Sequence, residues 1–377
     1  MVSIKRNANG KPIAPHIVGG NCIIREQMME VFNPATGQAI GETPSHLDLN
    51  HVNELCESAR KAQQCWYYEV AEQEKERIFR TTINKIEQNR GGLARTMILE
   101  GGKLWRLADA EVQEVFDTLW HYHGEISRCH TADGFTRCQM PDKNAFSIRK
   151  PYGVILAIKP WNFPLAVPMW SICGALAGGN AIVLKAAEQT PFTAYYVVKL
   201  ILESVNEVIS DEARQKDLAG LVQLIQGKGE TSGKLLVEEL KYDKLSFTGS
   251  AEVGNLVASV AAGRGKPAYK EAGGHAAIVV LDDFDIDLAV AEAINANLGD
   301  SGQRCVSARV VFVQDSYSRY KKFVNKYVEH ARARVIGNPM DFSTEMGPLI
   351  SREQLERVKD QIERTSKKLG KWLKHKG

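Results

Sequence analysis

The sequence predicts an α/β fold built on a buried parallel sheet, and three observations predict it. Short apolar runs recur at 153–158, 181–185, 221–226, 244–248, 276–281 and 308–313, each the length of a buried strand. Helical segments fill the gaps between them, which gives a βαβ rhythm. Two glycine clusters, at 227–233 and 249–254, follow strands and open helices, as tight βα turns do.

The rest of the chain is read around that centre. Residues 31–45 carry turn chemistry (Asn33-Pro34, Thr36-Gly37) between extended pieces, so a small hairpin is expected. From Asp48 to Ser127 apolar residues recur at three- and four-residue spacing (Ile78, Ile83, Ile86, Leu93, Met97, Leu99), the signature of helices. Residues 131–150 turn extended again, with Pro141 to Asn144 as the turn of a second hairpin. The last stretch, 351–368, reads as one amphipathic helix (Leu355, Val358, Ile362) that opens into a basic tail.

Composition narrows the function classes. The chain has 377 residues, enough for two or three domains with sizeable cores. Its net charge of +3 argues against a nucleic-acid protein, and the tail lysines and arginines read as a solvated end. No apolar run approaches the roughly 20 residues that span a bilayer, and residues 1–20 lack the apolar core of a signal peptide. Seven irregularly spaced cysteines read as reduced thiols, so a cytoplasmic location is expected. His121, His123, Cys129 and His130 lie close in sequence but have no second cluster, and no metal is expected.

Three residues carry candidate chemistry. Cys305 lies on a glycine-rich turn beside Arg304, and a nearby cation favours the reactive thiolate. Glu271, before Gly273-Gly274, is read as a carboxylate on another such turn; together they form a layout for nucleophilic catalysis. Asn162, just past the strand at 153–158, sits where α/β sheets bind ligands and could donate to an oxyanion; taken alone it fits an Asx-turn as well. Glu188, past the second strand, could accept from ribose hydroxyls or complement a helix dipole.

Taken together, collinear segments give these residues a context: VFNPATGQAIGE, PYGVILAIKPWNFP, GNAIVLKAAEQTPFTA, LSFTGSAEVG, KEAGGHAAIVV, SGQRC and TEMGPLIS, across residues 31–351. In this order they resemble the NAD(P)-dependent aldehyde dehydrogenase superfamily. The resemblance implies a Rossmann-like cofactor domain (1–130 and 151–272), a small β-hairpin oligomerisation arm (131–150) and a partial α/β catalytic domain (273–377). It implies Cys305 as nucleophile, Asn162 and the Cys305 amide as oxyanion hole, and Glu271 as the base that activates water. Ile158, Trp161, Lys185, Glu188, Gly229, Gly249, Ser250 and Gly254 would hold NAD, with NADP possible; the Glu188 carboxylate would repel a ribose 2′-phosphate. Phe163, Trp170 and Arg304 would meet an aldehyde substrate, and neither nucleic acid nor membrane is implied as a partner.

The family pattern is not matched beyond the GPLIS segment. Its later Glu-x-Phe-Gly-Pro motif and the C-terminal strand that joins a partner's sheet have no counterpart, although the family implies a homo-oligomer. The expectation is a premature or frame-shifted end, with open strand edges and uncovered apolar faces. An alternative function follows: a remnant that binds NAD without turnover.

Overall fold

The computed structural model describes residues 4–129, 132–314 and 317–374. Two short strands come first, β1 (His16–Val18) and β2 (Asn21–Ile23), joined through Gly19 and Gly20, whose φ angles of 53° and 81° favour glycine. The next pair, β3 (Met28–Phe32) and β4 (Ala39–Pro44), is the hairpin expected at 31–45, begun three residues earlier. Asn33 closes it, its side-chain oxygen accepting from the Ala35 amide.

Four helices follow: α1 (Leu49–Tyr68), α2 (Glu72–Gln88), α3 (Arg90–Gly101) and α4 (Trp105–Glu125). Their buried faces carry Leu55, Trp66, Ile78, Ile86, Met97 and Val112, and on α3 it is Ile98 rather than Leu99 that is buried. Strands β5 (Ala132–Arg137) and β6 (Asn144–Ile148) form the second expected hairpin and pair only with each other among the described residues.

The βαβ region holds β7 (Val154–Ile158), α5 (Ala166–Ala177), β8 (Ala181–Lys185), α6 (Pro191–Val208), α7 (Glu212–Leu218) and β9 (Val222–Ile225). It continues through α8 (Lys234–Glu239), β10 (Lys244–Gly249), α9 (Ala251–Gly263) and β11 (Ala268–Ala272). The resulting sheet has seven strands in the order β11-β10-β7-β8-β9-β1-β2, parallel from β11 to β9, with β1 and β2 antiparallel at one edge. From β7 the chain moves outward to β8 and β9 on one side, then returns to lay β10 and β11 on the other. That reversal opens a crevice at the carboxyl ends of β7 and β10, where parallel sheets bind ligands.

Two buried glutamates fix the helices around this crevice. Glu111 of α4 accepts from the Leu165 and Ala166 amides at 2.9 and 3.0 Å, so it caps α5, and it pairs with buried Lys103. Glu100 of α3 accepts from the Phe192 and Thr193 amides at 2.8 and 2.9 Å and caps α6. Carboxylates at helix N-termini satisfy unpaired amides and meet the positive end of the helix dipole. Burial still pushes Glu100 up to about 7, against the pull of its Thr193 and Phe192 donors.

A smaller unit follows, with β12 (Ala276–Val280), α10 (Ile286–Leu298), β13 (Ala308–Val313) and α11 (Tyr317–Ala333). Strands β12 and β13 pair only with each other, in parallel, among the described residues. Its own core gathers Val280, Val290, Ile294 and Phe323, separate from the core of the large sheet. The last helix, α12 (Arg352–Lys374), runs further than the 351–368 expected.

Candidate active site

Asn162 lies on the loop between β7 and α5, and its side-chain amide donates to the Gln303 carbonyl at 2.8 Å. That single bond ties the edge of the large sheet to the turn that carries Cys305, 141 residues away along the chain. The turn is strained and braced. Asp300 and Ser301 have φ of 55° and 56° and Gly302 follows at 74°, left-handed backbone that costs a non-glycine residue on the order of 1 kcal/mol or more. Ser301 Oγ donates to the Gly347 carbonyl at 2.8 Å. The Gln303 side chain accepts from the Ile350 amide at 2.9 Å and donates to the Pro348 carbonyl at 3.3 Å. Cys305 itself is exposed at the end of this brace.

Arg304 turns away from the thiol: its guanidinium donates to the Asn295 and Ala296 carbonyls at 2.6 and 3.3 Å, near the C-terminus of α10. Cations complement that end of a helix, so the side chain braces the turn. Glu271 differs from expectation. It lies in strand β11, opposite Thr248 of β10, rather than on the glycine turn that follows. The strand was hidden because AYKEA has no apolar run; β11 is an edge strand whose backbone pairs with β10 alone. Glu271 is exposed, and the Tyr269 hydroxyl donates to it.

On the cofactor side of the crevice, Ile158 ends β7 and Lys185 ends β8 as cross-strand partners. Lys185 is buried, donates to the Ala186 carbonyl at 2.6 Å and lies 3.6 Å from the Glu188 carboxylate; desolvation holds its amine below the usual lysine range. Ser250 is the N-cap of α9, its hydroxyl accepting from the Val253 amide at 3.3 Å. Packing explains two of the glycines. A Cβ on Gly249 would stand 2.6 Å from Phe247 Cζ, and one on Gly254 would stand 2.9 Å from Lys270 Cδ. Gly229 has open space around it and begins the turn from β9 to α8. A buried cation, an acid and a capped helix N-terminus along a strand-reversal crevice form a donor set that fits a dinucleotide.

A narrow pocket beside Asn162 is lined by Met97, Lys103, Trp161, Pro164, Asp300 and Gln303. The Lys103 ammonium lies 3.9 Å from the centroid of the Phe163 ring, a cation–π contact that fixes the ring. Trp170, on α5, stays 43% exposed. Sequence reasoning did not single out Lys103, Gln303 or Asp300. Gln303 sat inside the quoted SGQRC segment and Asp300 immediately before it, and positive φ is a property of the folded turn that no local composition announces. Among the described residues no group of three or more His, Cys, Asp or Glu side chains comes together as a metal site; His130 lies outside the described residues. Also among the described residues, no helix is long and apolar enough to cross a membrane.

Comparison with known proteins agrees with this geometry. The family model described as the aldehyde dehydrogenase family matches residues 23–376. Human retinal dehydrogenase 2 is 33% identical over 342 residues, covering 89% of this chain and 62% of that protein. Mitochondrial aldehyde dehydrogenase of Sus scrofa is 34% identical over 340 residues, with the same coverage of 89% and 62%. The chain thus spans about three-fifths of the length of these curated relatives. Among solved structures, lactaldehyde dehydrogenase from Escherichia coli superposes with a TM-score of 0.85 at 29% identity, over 94% of this chain and 72% of that one. An E. coli NADP-dependent enzyme gives 0.86 at 29% identity, over 97% and 73%. Fold and these matches agree: the chain belongs to the aldehyde dehydrogenase family.

Proposed function

We propose that this chain oxidises an aldehyde to a carboxylic acid through a covalent intermediate on Cys305. The observation that carries this reading is the Asn162–Gln303 hydrogen bond, which joins a primary amide at the sheet edge to the nucleophile's turn. One Asn162 N–H is used in that bond, and the second remains to meet an oxygen anion. Attack of the Cys305 sulfur on the aldehyde carbon makes a thiohemiacetal oxyanion, which Asn162 stabilises. A bound nicotinamide cofactor supplies the hydride acceptor for its collapse to a thioester. Glu271 then takes a proton from water as the water attacks the thioester carbon; the C–S bond breaks, which releases the acid and leaves Cys305 as its thiolate.

Lys185 and Glu188 hold the adenine ribose in this reading, and the α9 N-terminus with Ser250 meets the pyrophosphate. Glu188 favours NAD, since a carboxylate opposes a 2′-phosphate. Similar solved structures support either cofactor: a methylmalonate-semialdehyde dehydrogenase complexed with NAD and an NADP-dependent enzyme. Phe163 and Trp170 line the approach of the aldehyde, and Arg304 enters through the turn it braces. Assembly of copies through the β5–β6 hairpin belongs to the same reading; Phe146 and Ile148 on β6 are 64% and 53% exposed.

A second reading, dinucleotide binding without turnover, is favoured by one observation. The unit that carries Cys305 leaves Val279 and Phe312 of its sheet 64% and 58% exposed, so the nucleophile stands on the less covered half. A pre-steady-state assay separates the two. The first reading expects a burst of aldehyde-dependent NADH that Cys305→Ala lowers at least ~10³-fold, while Glu271→Gln keeps the burst and loses the steady state. NAD-dependent thermal stabilisation without NADH would decide for the second reading. Absence of any effect of either NAD or NADP on melting would overturn both.

A further inference from the structure

Strand alternation at the carboxyl end of the large sheet gathers a polar row that the scheme above leaves unused. In β10 and β11, Phe247 and Lys270 face α9: a Cβ on Gly254 would meet both side chains, and the Lys270 ammonium reaches Asn255. Ser246 and Thr248 therefore face the other way, as do their cross-strand partners Tyr269 and Glu271. On the neighbouring strand Ile158 pairs with Phe247, so the next residue, Lys159, falls level with Thr248 and on its face. The Lys159 amine donates to Ser246 Oγ at 2.9 Å and to Thr248 Oγ1 at 3.2 Å. Ser171 of α5 reaches the same Ser246 hydroxyl at 3.4 Å. At 5% exposure, Lys159 is a buried amine whose partners are neutral hydroxyls.

We propose that Lys159 is a positioning residue for Glu271: anchored on Ser246 and Thr248, its ammonium sets the charge that the water-activating carboxylate meets. This rests on the reading of Glu271 as that base. The groups facing the amine are Ser246 and Thr248 from β10, Tyr269 and Glu271 from β11, and Ser171 from α5. Lys185 of β8 pairs with Ile158 and so projects from the opposite face. Burial lowers the Lys159 pKa to about 7, and the Glu271 charge pulls it back upward. The cation beside Glu271 is consequently present below neutrality and lost above it. A lysine just before Pro160-Trp161 reads in sequence as a solvated loop residue; its burial and its facing are set only by the register of β7 against β10.

The test uses the full chain labelled with [ε-¹³C]lysine, in which the Lys159 signal is identified by its loss in Lys159→Met. The expected titration midpoint is about 7, and Glu271→Gln, a change at an exposed position, lowers it by about one unit. In turnover, wild type shows a neutral-range inflection in the pH profile of the steady-state rate. Lys159→Met and Lys159→Gln lose that inflection and keep the burst. A midpoint in the ordinary lysine range, or one that Glu271→Gln leaves in place, overturns the proposal. So does an inflection that survives both Lys159 variants. Coupling measured in a chain that forms no NADH supports the pairing and tells against the catalytic reading of Glu271.

Discussion

The parallel strands of the two sheets are made of the same residue types and bury them differently. In the large sheet, Val154, Ile155, Leu156 and Ala157 of β7 are all buried, because both α5 and α1 pack against that strand. In the small sheet, Ile278, Val311 and Val313 pack against the α10–α11 core, while Val279, Val310 and Phe312 are left 64%, 41% and 58% exposed. Parallel strands are stable where both faces are covered, and β12 and β13 have cover on one. The candidate site straddles the two regions, with Asn162 just past the buried strand β7, Glu271 on the exposed edge strand β11 and Cys305 on the half-covered unit. The strained turn at 300–302 makes the join, held by bonds from Asn162, Ser301 and Gln303.

The most direct way to break this comparison is to truncate one apolar side chain in each sheet. Leu156→Ala opens a cavity at a fully buried position and is expected to cost about 2–5 kcal/mol. Phe312→Ala, at 58% exposure, is expected to cost under ~1 kcal/mol and to lower binding of a hydrophobic dye. Urea unfolding of both variants measures the difference. Equal costs would mean that the exposed face of β12–β13 is covered in solution.

The join itself gives a smaller effect. Gln303→Ala removes the acceptor of the Ile350 amide and the donor to the Pro348 carbonyl. The expected local loss is about 1–3 kcal/mol, read as faster hydrogen exchange at Ile350 with little change at the β7 amides. A uniform rise in exchange across both sheets would show that the turn and the large sheet open as one unit.

What could be read from sequence divides along physical lines. Strands β7, β8 and β9 were legible because burial on both faces demands apolar runs, β10 because Leu245 and Phe247 alternate into the core, and the helices of 48–127 because one face of each is buried. Strands β1 and β2 were not: three residues each, they are held by antiparallel pairing at a sheet edge and leave no pattern of their own. The AYKEA strand was missed for a related reason, and Glu271 was assigned to a turn as a result. Cys305, Asn162 and Glu271 became candidates through their collinear motifs. The residues that hold the site in place were not. Glu111 and Glu100 cap helices 54 and 92 residues downstream, and an acid within a helix gives no local sign of a partner so far along the chain. Lys159 belongs with them, since its environment comes entirely from strand register.

That buried lysine supplies the sharpest view of the large sheet. Its folded pKa, about 7, lies below the ordinary lysine value of 10.5. Below pH 7 both the folded and the unfolded chain carry the proton, and the folded state bears the full cost of a buried ammonium. Between pH 7 and about 10.4 the folded chain sheds it while the unfolded chain keeps it, so stability rises with pH across that window. Lys159→Met removes the titration while filling the same space. Its advantage over wild type is therefore expected to be greatest near pH 6 and to shrink by roughly 2–3 kcal/mol by pH 9. Paired urea titrations at the two pH values cancel the contribution of every other ionisable group to first order. A constant difference between variant and wild type would place the Lys159 amine in water, and the covered face of the large sheet would then be less dry than the hydroxyl contacts of Ser246 and Thr248 imply.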